Sequence, residues 1–490
     1  MQWGKLRLVL LLFYCCTGLH AQVFRNLNME ALCPDSITGL CHWQKSWGGA
    51  KTIRPDEASS GNRALLIDVD NGGVGFAEQA AEITGKQQMK ILTFSGRIRT
   101  QGATGKGAGL NIGIYDKEGR LLFNKDMGYG SFSWVSGNTD WRTCTLSAVC
   151  APEAAKIKIG AILYGSGKAW FDDFEVALEP VRGRKPSRLA KTYLSQVLDT
   201  LSTHSLRKDS VNFRSLKKLA LKIAGPAQKP ADCHLAVTYL LHALNDHHSF
   251  FMTPEEVKSW EGNGDPNPAD LVYPKSEIMA DCGYIWVPYF HGGDPELIQA
   301  YTDSLQRILR KLDQTNIKGW IIDLRDNTGG NMGPMIAGLG PLFTGEKLGC
   351  LFDVNGGSEC WTYKDNAFGW EGRREITPTS PVTLPHNRPI AVLISNRTGS
   401  SGEIVAISFV GNAKTRLFGQ PTWGLTTGNG NFDLPDGARM MLASTIMADR
   451  NGNRFFGPVP PDEQVNPGNK GEPDPVVQAA LAWINQIEKD

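Results

Sequence analysis

The hydrophobic period of this 490-residue chain changes twice along its length, and each change demands a different kind of packing. From about residue 23 to 180 apolar residues alternate at period two. Leu110, Ile112 and Ile114 make one run and Ile157, Ile159, Ala161 and Leu163 another, with Gly-rich turns between such runs. Successive strand residues point to opposite faces, so this alternation buries one face of a sheet and predicts an all-β sandwich over residues 23–180. The polar stretch 179–186, which carries Pro180 and Pro186, reads as a linker, and beyond it the period is helical. Leu194, Val197, Leu198 and Leu201 form one stripe, Phe213, Leu216, Leu219 and Ile223 a second, and Val237, Tyr239, Leu240 and Leu244 a third. Linker and small helical unit together occupy residues 181–260. From Cys282 strands and helices alternate, with strands expected over 283–290, 319–324 and 389–394 and helices over 295–312, from Ser400 onward, and over 476–487. This predicts an α/β core over residues 280–490, and a multidomain α+β protein as a whole.

Several function classes are excluded early. Fifty-one basic residues face 50 acidic ones without a long run of either sign, so no nucleic-acid partner is expected. Lys5 and Arg7 precede an apolar run over 8–14 and then Leu19-His20-Ala21. This reads as a signal peptide over residues 1–21 and predicts an exported protein, periplasmic, secreted or at the cell surface. No segment reaches the ~20 apolar residues that a bilayer span needs, so no transmembrane segment is expected. Cys15 and Cys16 invite lipidation, but Phe13 and Tyr14 stand where a lipobox wants small residues. The other eight cysteines are an even number in an export context, with local pairs available as Cys33–Cys41, Cys144–Cys150 and Cys350–Cys360. Zinc is the rival use for them, yet the chain has no CxxC pair and no HExxH; no metal or cofactor is expected.

Two segments carry candidate chemistry. In the first, the apolar strand 391–394 runs into Thr398-Gly399-Ser400-Ser401-Gly402 and then a helical pattern, which puts Ser400 at a strand-to-helix corner. Such a corner exposes a hydroxyl beside the free N–H groups of a helix start. The same residues also read as an ordinary capping box, with Glu403 three positions after Ser400. In the second, the buried strand 319–324 ends in Arg325-Asp326-Asn327-Thr328-Gly329-Gly330, whose paired glycines permit close backbone approach to an oxyanion, or simply a structural turn at positive φ.

Taken in order, the turn 323–330, the segment 398–404, Gly419-Gln420-Pro421-Thr422-Trp423-Gly424, Leu434-Pro435-Asp436-Gly437 and Pro460-Pro461-Asp462 resemble the C-terminal processing and tricorn serine peptidase family. The resemblance covers about residues 280–470. It implies a ClpP/crotonase-like ββα core, Ser400 as nucleophile, and oxyanion donors on the backbone of Gly329, Gly330 and Ser401. The processing branch places a Lys 25 residues after the nucleophile, where this chain has Leu425. The tricorn branch uses an upstream His in a segment that Asp246-His247-His248-Ser249 resembles, which makes His248 the candidate base. That branch also has a supporting Glu where this chain has Phe455 or Phe456, leaving Asp246, Glu403 and Asp462 as candidates for a supporting role. About thirty residues separate His248 from Cys282, too few for a PDZ-like insertion, so peptide must be held by the core itself through β-augmentation. In the N-terminal region, 165–174 with Trp170, Asp172 and Asp173, and Gly137-Asn138-Thr139-Asp140-Trp141, resemble jelly-roll domains similar to carbohydrate-binding modules. That implies glycan contact, against the plainer alternative of a sandwich that spaces or shields the enzyme. The expected function is hydrolysis of peptides or unfolded proteins by a serine-type endopeptidase or carboxy-terminal processing peptidase. Its alternatives are a weak or inactive peptide- or glycan-binding protein on the same scaffold, motivated by the missing Lys and Glu, and an esterase, which would lack its G-x-S-x-G elbow.

Overall fold

Alternation over the first third of the chain produces nine strands in one hydrogen-bonded network. They are β1 (Gln44–Gly48), β2 (Thr52–Asp56), β3 (Ala64–Val69), β4 (Val74–Glu82), β5 (Lys90–Tyr115), β6 (Leu121–Lys125), β7 (Val135–Cys150), β8 (Lys156–Tyr164) and β9 (Gly167–Pro180). This computed structural model describes residues 24–487 except 49, 51, 71, 86–87, 128–133, 182, 262–271 and 469–471. The expected signal peptide and Cys15 and Cys16 lie outside the described residues. The unifying element is β5. Its first half pairs with β7 and β9, while its second half pairs with β8 and β6. Between Ile98 and Ala108 the register with β7 shifts repeatedly, and there Gly107 sits at φ +91° where a Cβ would come 2.5 Å from the Val135 carbonyl oxygen. Gly105 and Gly107 therefore mark a bend within a single strand that serves two layers. Leu92 and Phe94 of its first half share one buried core with Leu110 and Ile112 of its second, and with Ile159 and Phe171.

The helical stripes form α1 (Arg188–His204), α2 (Phe213–Ala224) and α3 (His234–His242). Ser187 and Asn212 cap the first two through the N–H groups of Ala190 and Ser215. Their apolar faces, Leu194, Leu201, Ile223 and Leu240 among them, pack with Met89 and Val149 on one side and with Leu434, Met440 and Leu442 on the other. The helices thus join the β unit to the C-terminal half. The expected helical unit over residues 181–260 also contains a strand. Its last part, β10 (Phe250–Met252), pairs with β21 (Arg439–Asp449) inside a C-terminal sheet, and α4 (Pro254–Trp260) follows.

That sheet has seven strands, including β14 (Lys347–Asp353), β15 (Ser358–Lys364), β16 (Ala367–Trp370), β17 (Arg373–Ile376) and β20 (Thr427–Asp433). A second, six-stranded sheet runs in the order β11 (Lys275–Met279), β12 (Cys282–Trp286), β13 (Gly319–Asp323), β18 (Ile390–Ile394), β19 (Thr415–Gly419), β22 (Glu463–Gln464). From β12 to β22 all pairings are parallel. Every residue of β13 and β18 is buried, as expected where helices cover both faces of a parallel sheet. Residues of α5 (Pro295–Asp313), α6 (Met332–Leu339) and α7 (Ser401–Phe409) fill the larger core, and α8 (Pro475–Ile487) closes the opposite face. The carboxyl ends of β13 and β18 therefore deliver the two candidate turns to the same edge of the sheet, the usual place for a site in open α/β sheets.

Disulfides join Cys33 to Cys41 and Cys350 to Cys360. The expected Cys144–Cys150 pair does not form: both thiols are free and buried. They lie six positions apart on β7, and an extended strand separates such residues by ~20 Å, against the ~7 Å limit for a disulfide.

Candidate active site

The two turns are stitched together before any reactive group is considered. The Thr398 hydroxyl donates to the Leu324 carbonyl (2.8 Å), the Gly399 N–H to the Asn327 carbonyl (3.0 Å), the Ser395 hydroxyl to the Arg325 carbonyl (2.6 Å) and the Ser401 hydroxyl to the Gly330 carbonyl (2.6 Å). Ser400 stands at the apex with φ +52° and ψ −120°, a region that costs a non-glycine residue roughly 1–3 kcal/mol and persists only where surrounding bonds over-determine it. Glu403 supplies those bonds. Fully buried, it accepts the Ser400 N–H at 2.8 Å with Oε2, and with Oε1 the Thr422 hydroxyl at 2.5 Å and the Gly424 N–H at 2.8 Å. Burial pushes its carboxyl above the usual range, while these donors and the Leu425 backbone hold it down. Glu403 is thus one half of the expected capping box and also the tie between the Ser400 corner and the 422–424 segment.

The Ser400 hydroxyl meets His248 Nε2 at 2.9 Å, across 152 residues of sequence. On the other side of the ring, His248 Nδ1 meets the Thr427 hydroxyl at 2.7 Å. Asp246 shapes the loop that presents the ring: its Oδ1 accepts the N–H groups of His248 (3.0 Å) and Ser249 (2.8 Å), and its Oδ2 the Ser249 hydroxyl (2.6 Å). Asn429 donates to the His248 carbonyl at 3.0 Å. His247, at φ +58° in the loop beyond α3, is exposed, while His248 is half-buried. Burial pushes the His248 imidazole down to about 4, although the nearby Asp246 carboxylate and the contact with Thr427 oppose this. The ring is neutral at pH 7, the state in which it can accept a proton.

Gly329 and Gly330 have φ of +109° and +103°. A Cβ on Gly329 would lie 2.8 Å from Ser400 Cβ, 2.9 Å from the Gly399 carbonyl oxygen and 3.0 Å from Ser401 N, so only glycine lets this turn close on the corner. The Gly329 N–H is nevertheless spent, donating to Asn327 Oδ1 at 3.0 Å. This corrects the expectation that both glycines offer donors. Among the described residues the N–H groups of Gly330 and Ser401 have no hydrogen bond, and Ser401 opens α7. They flank the corner as a pair of donors suited to an oxyanion.

Asp462 does not join the constellation; its carboxylate accepts the Leu417 N–H at 2.7 Å and fixes β19. Leu425, where a Lys dyad would have its amine, is packed beside Gly399. Three residues escaped the sequence reading: Thr427, Asn327 and Asn429. Thr427 was visible only as part of the segment that lacked the Lys, and Asn327 as part of the Asp-Asn turn.

Residues 281–465 match the sequence pattern of Peptidase family S41. The C-terminal region is a peptidase S41 domain. The nisin-resistance protein of Lactococcus lactis subsp. lactis is 28% identical over 329 residues, 67% of this chain and 95% of that protein. A lipoprotein structure from Streptococcus agalactiae is 26% identical and superposes with a TM-score of 0.50, covering 61% of this chain and 97% of its own. The photosystem II D1 C-terminal processing protease aligns at 13% identity with a TM-score of 0.42, covering 57% of this chain and 94% of its own. Serine peptidase activity is the chemistry that the S41 family implies. Among the described residues no helix is long and apolar enough to cross a membrane.

In the S41 domain of this chain, a hydroxyl and a neutral imidazole are in hydrogen-bond contact, next to Ser401 and, through the Ser401 hydroxyl, to Gly330. Such a set can carry acyl transfer through a tetrahedral intermediate.

Proposed function

We propose that this is an exported serine peptidase that cleaves peptide bonds in peptides or unfolded proteins through a Ser400 acyl-enzyme. The observation that carries the proposal is the 2.9 Å contact between Ser400 Oγ and a neutral His248 Nε2. In the reactive tautomer Nδ1–H donates to Thr427, so the Nε2 lone pair takes the Ser400 proton as Oγ attacks the scissile carbonyl. Gly330 and Ser401 N–H groups stabilise the oxyanion, His248 passes its proton to the leaving amine, and water then releases the acyl group by the same steps in reverse order. Thr427 stands where a carboxylate stands in a Ser-His-Asp triad. It orients the ring without adding a charge to stabilise the imidazolium. Glu403 and Asp246 act as positioning residues, through the Ser400 corner and the His248 loop.

Export is supported by the sequence signals at residues 1–21 and agrees with relatives described as a lipoprotein and a nisin-resistance protein. The division into a jelly-roll-like sandwich over 23–180, a helical unit over 181–260 and a ClpP/crotonase-like core over 280–490 belongs to the same proposal. So does glycan contact by the first unit. Cleavage of a peptide library by the purified protein tests the central point, with Ser400→Ala expected to abolish turnover and His248→Ala to lower it at least 10²-fold, the usual share of a general base. Peptide binding without any cleavage by the unaltered chain would instead select the inactive binding protein.

A further inference from the structure

Large exposed aromatic side chains are scarce among the described residues. Among the described residues only one Trp and one Phe are strongly exposed, Trp423 at 58% and Phe456 at 81%. Trp423 sits on the segment that adjoins the Ser400 corner, and Phe456 on the loop that touches that segment in turn. The backbone under Trp423 is held firmly: its N–H donates to the Thr398 carbonyl at 2.8 Å, and the neighbouring Thr422 hydroxyl and Gly424 N–H both end on Glu403. Its position is set too, because a Cβ on Gly399 would be 3.5 Å from Trp423 Cβ and 3.9 Å from Leu425 Cδ1. Phe456 belongs to a loop pinned by Thr426, whose Oγ1 donates to the Gly457 carbonyl at 2.9 Å and accepts the Gly457 N–H at 3.2 Å. The two segments touch, since a Cβ on Gly424 would lie 2.9 Å from Pro458 Cδ. Rigid backbone beneath an exposed ring is the form of a binding wall: the backbone is ordered before a partner arrives, so only the two χ angles of each ring remain to be fixed on binding.

From this placement we infer that Trp423 and Phe456, with Leu425 at their base, form the wall that receives a large apolar side chain of the substrate next to the scissile bond. The inference rests on the peptidase reading above and adds the class of substrate residue. It also gives a use to the Leu at position 425: with no Lys there, the floor beside the nucleophile is apolar and rejects a charged substrate side chain, whose desolvation would go uncompensated. The occupant is a Phe, Leu, Tyr or Met side chain of an extended peptide whose carbonyl lies at Ser400.

The test compares substrates within one protein. A library of unfolded peptides cleaved by the unaltered chain is expected to show large apolar residues enriched at one position flanking the cut. For matched peptides carrying Phe or Ala at that position, the ratio of kcat/KM is expected to favour Phe by roughly 10- to 100-fold, the range for filling a hydrophobic pocket. Trp423→Ala should collapse that ratio towards unity, Trp423→Phe should preserve most of it, and Phe456→Ala gives an independent variant should Trp423→Ala fold poorly. A merely structural role would lower both substrates alike and leave the ratio unchanged, which overturns the inference. A cleavage profile without apolar enrichment overturns it as well. Either result with active protein leaves the peptidase reading standing, whereas absence of cleavage and of Ser400 labelling by a fluorophosphonate removes that reading first.

Discussion

Replacing Glu403 by Gln changes one oxygen for an amide and tests how the Ser400 corner is held. The carboxylate accepts three donors, from Ser400 N–H, the Thr422 hydroxyl and Gly424 N–H, at 2.8, 2.5 and 2.8 Å. A carboxamide has a single acceptor atom. If its oxygen takes the side facing Thr422 and Gly424, its NH2 confronts the Ser400 N–H and leaves a buried donor unmatched, at about 1–3 kcal/mol. The two remaining bonds fall from charge-assisted to neutral and lose about half their strength. Removal of a buried charge offsets part of this, so the net loss is about 2–4 kcal/mol, seen as a fall of roughly 5–10 °C in Tm. The bond lost is the one that keeps Ser400 at φ +52°, and a nucleophile misplaced by about 1 Å loses roughly 10²-fold in rate. Thermal unfolding by calorimetry reads the first quantity, and the second-order rate of fluorophosphonate labelling reads the second. A variant that unfolds within about 1 °C of the unaltered protein and labels at its rate would refute the account of how this corner is maintained.

Thr427→Val removes the hydroxyl beside His248 Nδ1 and leaves only the residue-427 backbone to hold that side of the ring; kcat should fall roughly 10-fold with KM little changed, as steady-state kinetics on one peptide would show. Because burial holds His248 at about 4, the acid limb of the kcat/KM profile should lie near pH 4 rather than near 6.5. The same depressed value has a stability consequence: the contribution of the neutral ring is complete above pH 6.5 and is lost as the pH falls through about 4, at most about 3 kcal/mol, measurable as Tm against pH in the unaltered protein and in His248→Phe. Gly329→Ala forces a Cβ within 2.8 Å of Ser400 Cβ at φ +109°, so both labelling and peptide cleavage should fall at least 10²-fold while the β-sheet signature in circular dichroism is retained.

Much of the architecture was readable because local pattern and tertiary burial agree. The helix expected over 295–312 is α5, and the last helix expected over 476–487 is α8. The stripe Leu194, Val197, Leu198, Leu201 is the buried face of α1. The strand-to-helix corner at Ser400 and the positive-φ turn at Gly330 were legible because both have local chemistry. What failed was whatever depends on distant pairing. Thr427 reaches His248 across 179 residues, and nothing in its own neighbourhood announces a ring beside it. β10 belongs to a sheet whose partner strand lies nearly two hundred residues later, so the sequence placed it with the helices that precede it. Cysteine counting proposed Cys144–Cys150 from proximity in sequence, but a straight strand holds close neighbours apart. At Cys350–Cys360 the same proximity succeeds because β14 and β15 fold back and set the two residues opposite each other. Gly105 and Gly107 lie inside β5, which passes through them with a bend that no local pattern announces.

The most direct test of the central claim is to trap the acyl-enzyme. Unaltered protein mixed with a peptide ester and quenched in acid should gain the mass of one acyl group, and peptide mapping should place it on Ser400. His248→Ala should accumulate it at least 10²-fold more slowly. An acyl group on another residue, or peptide cleavage that persists in Ser400→Ala, would contradict the account.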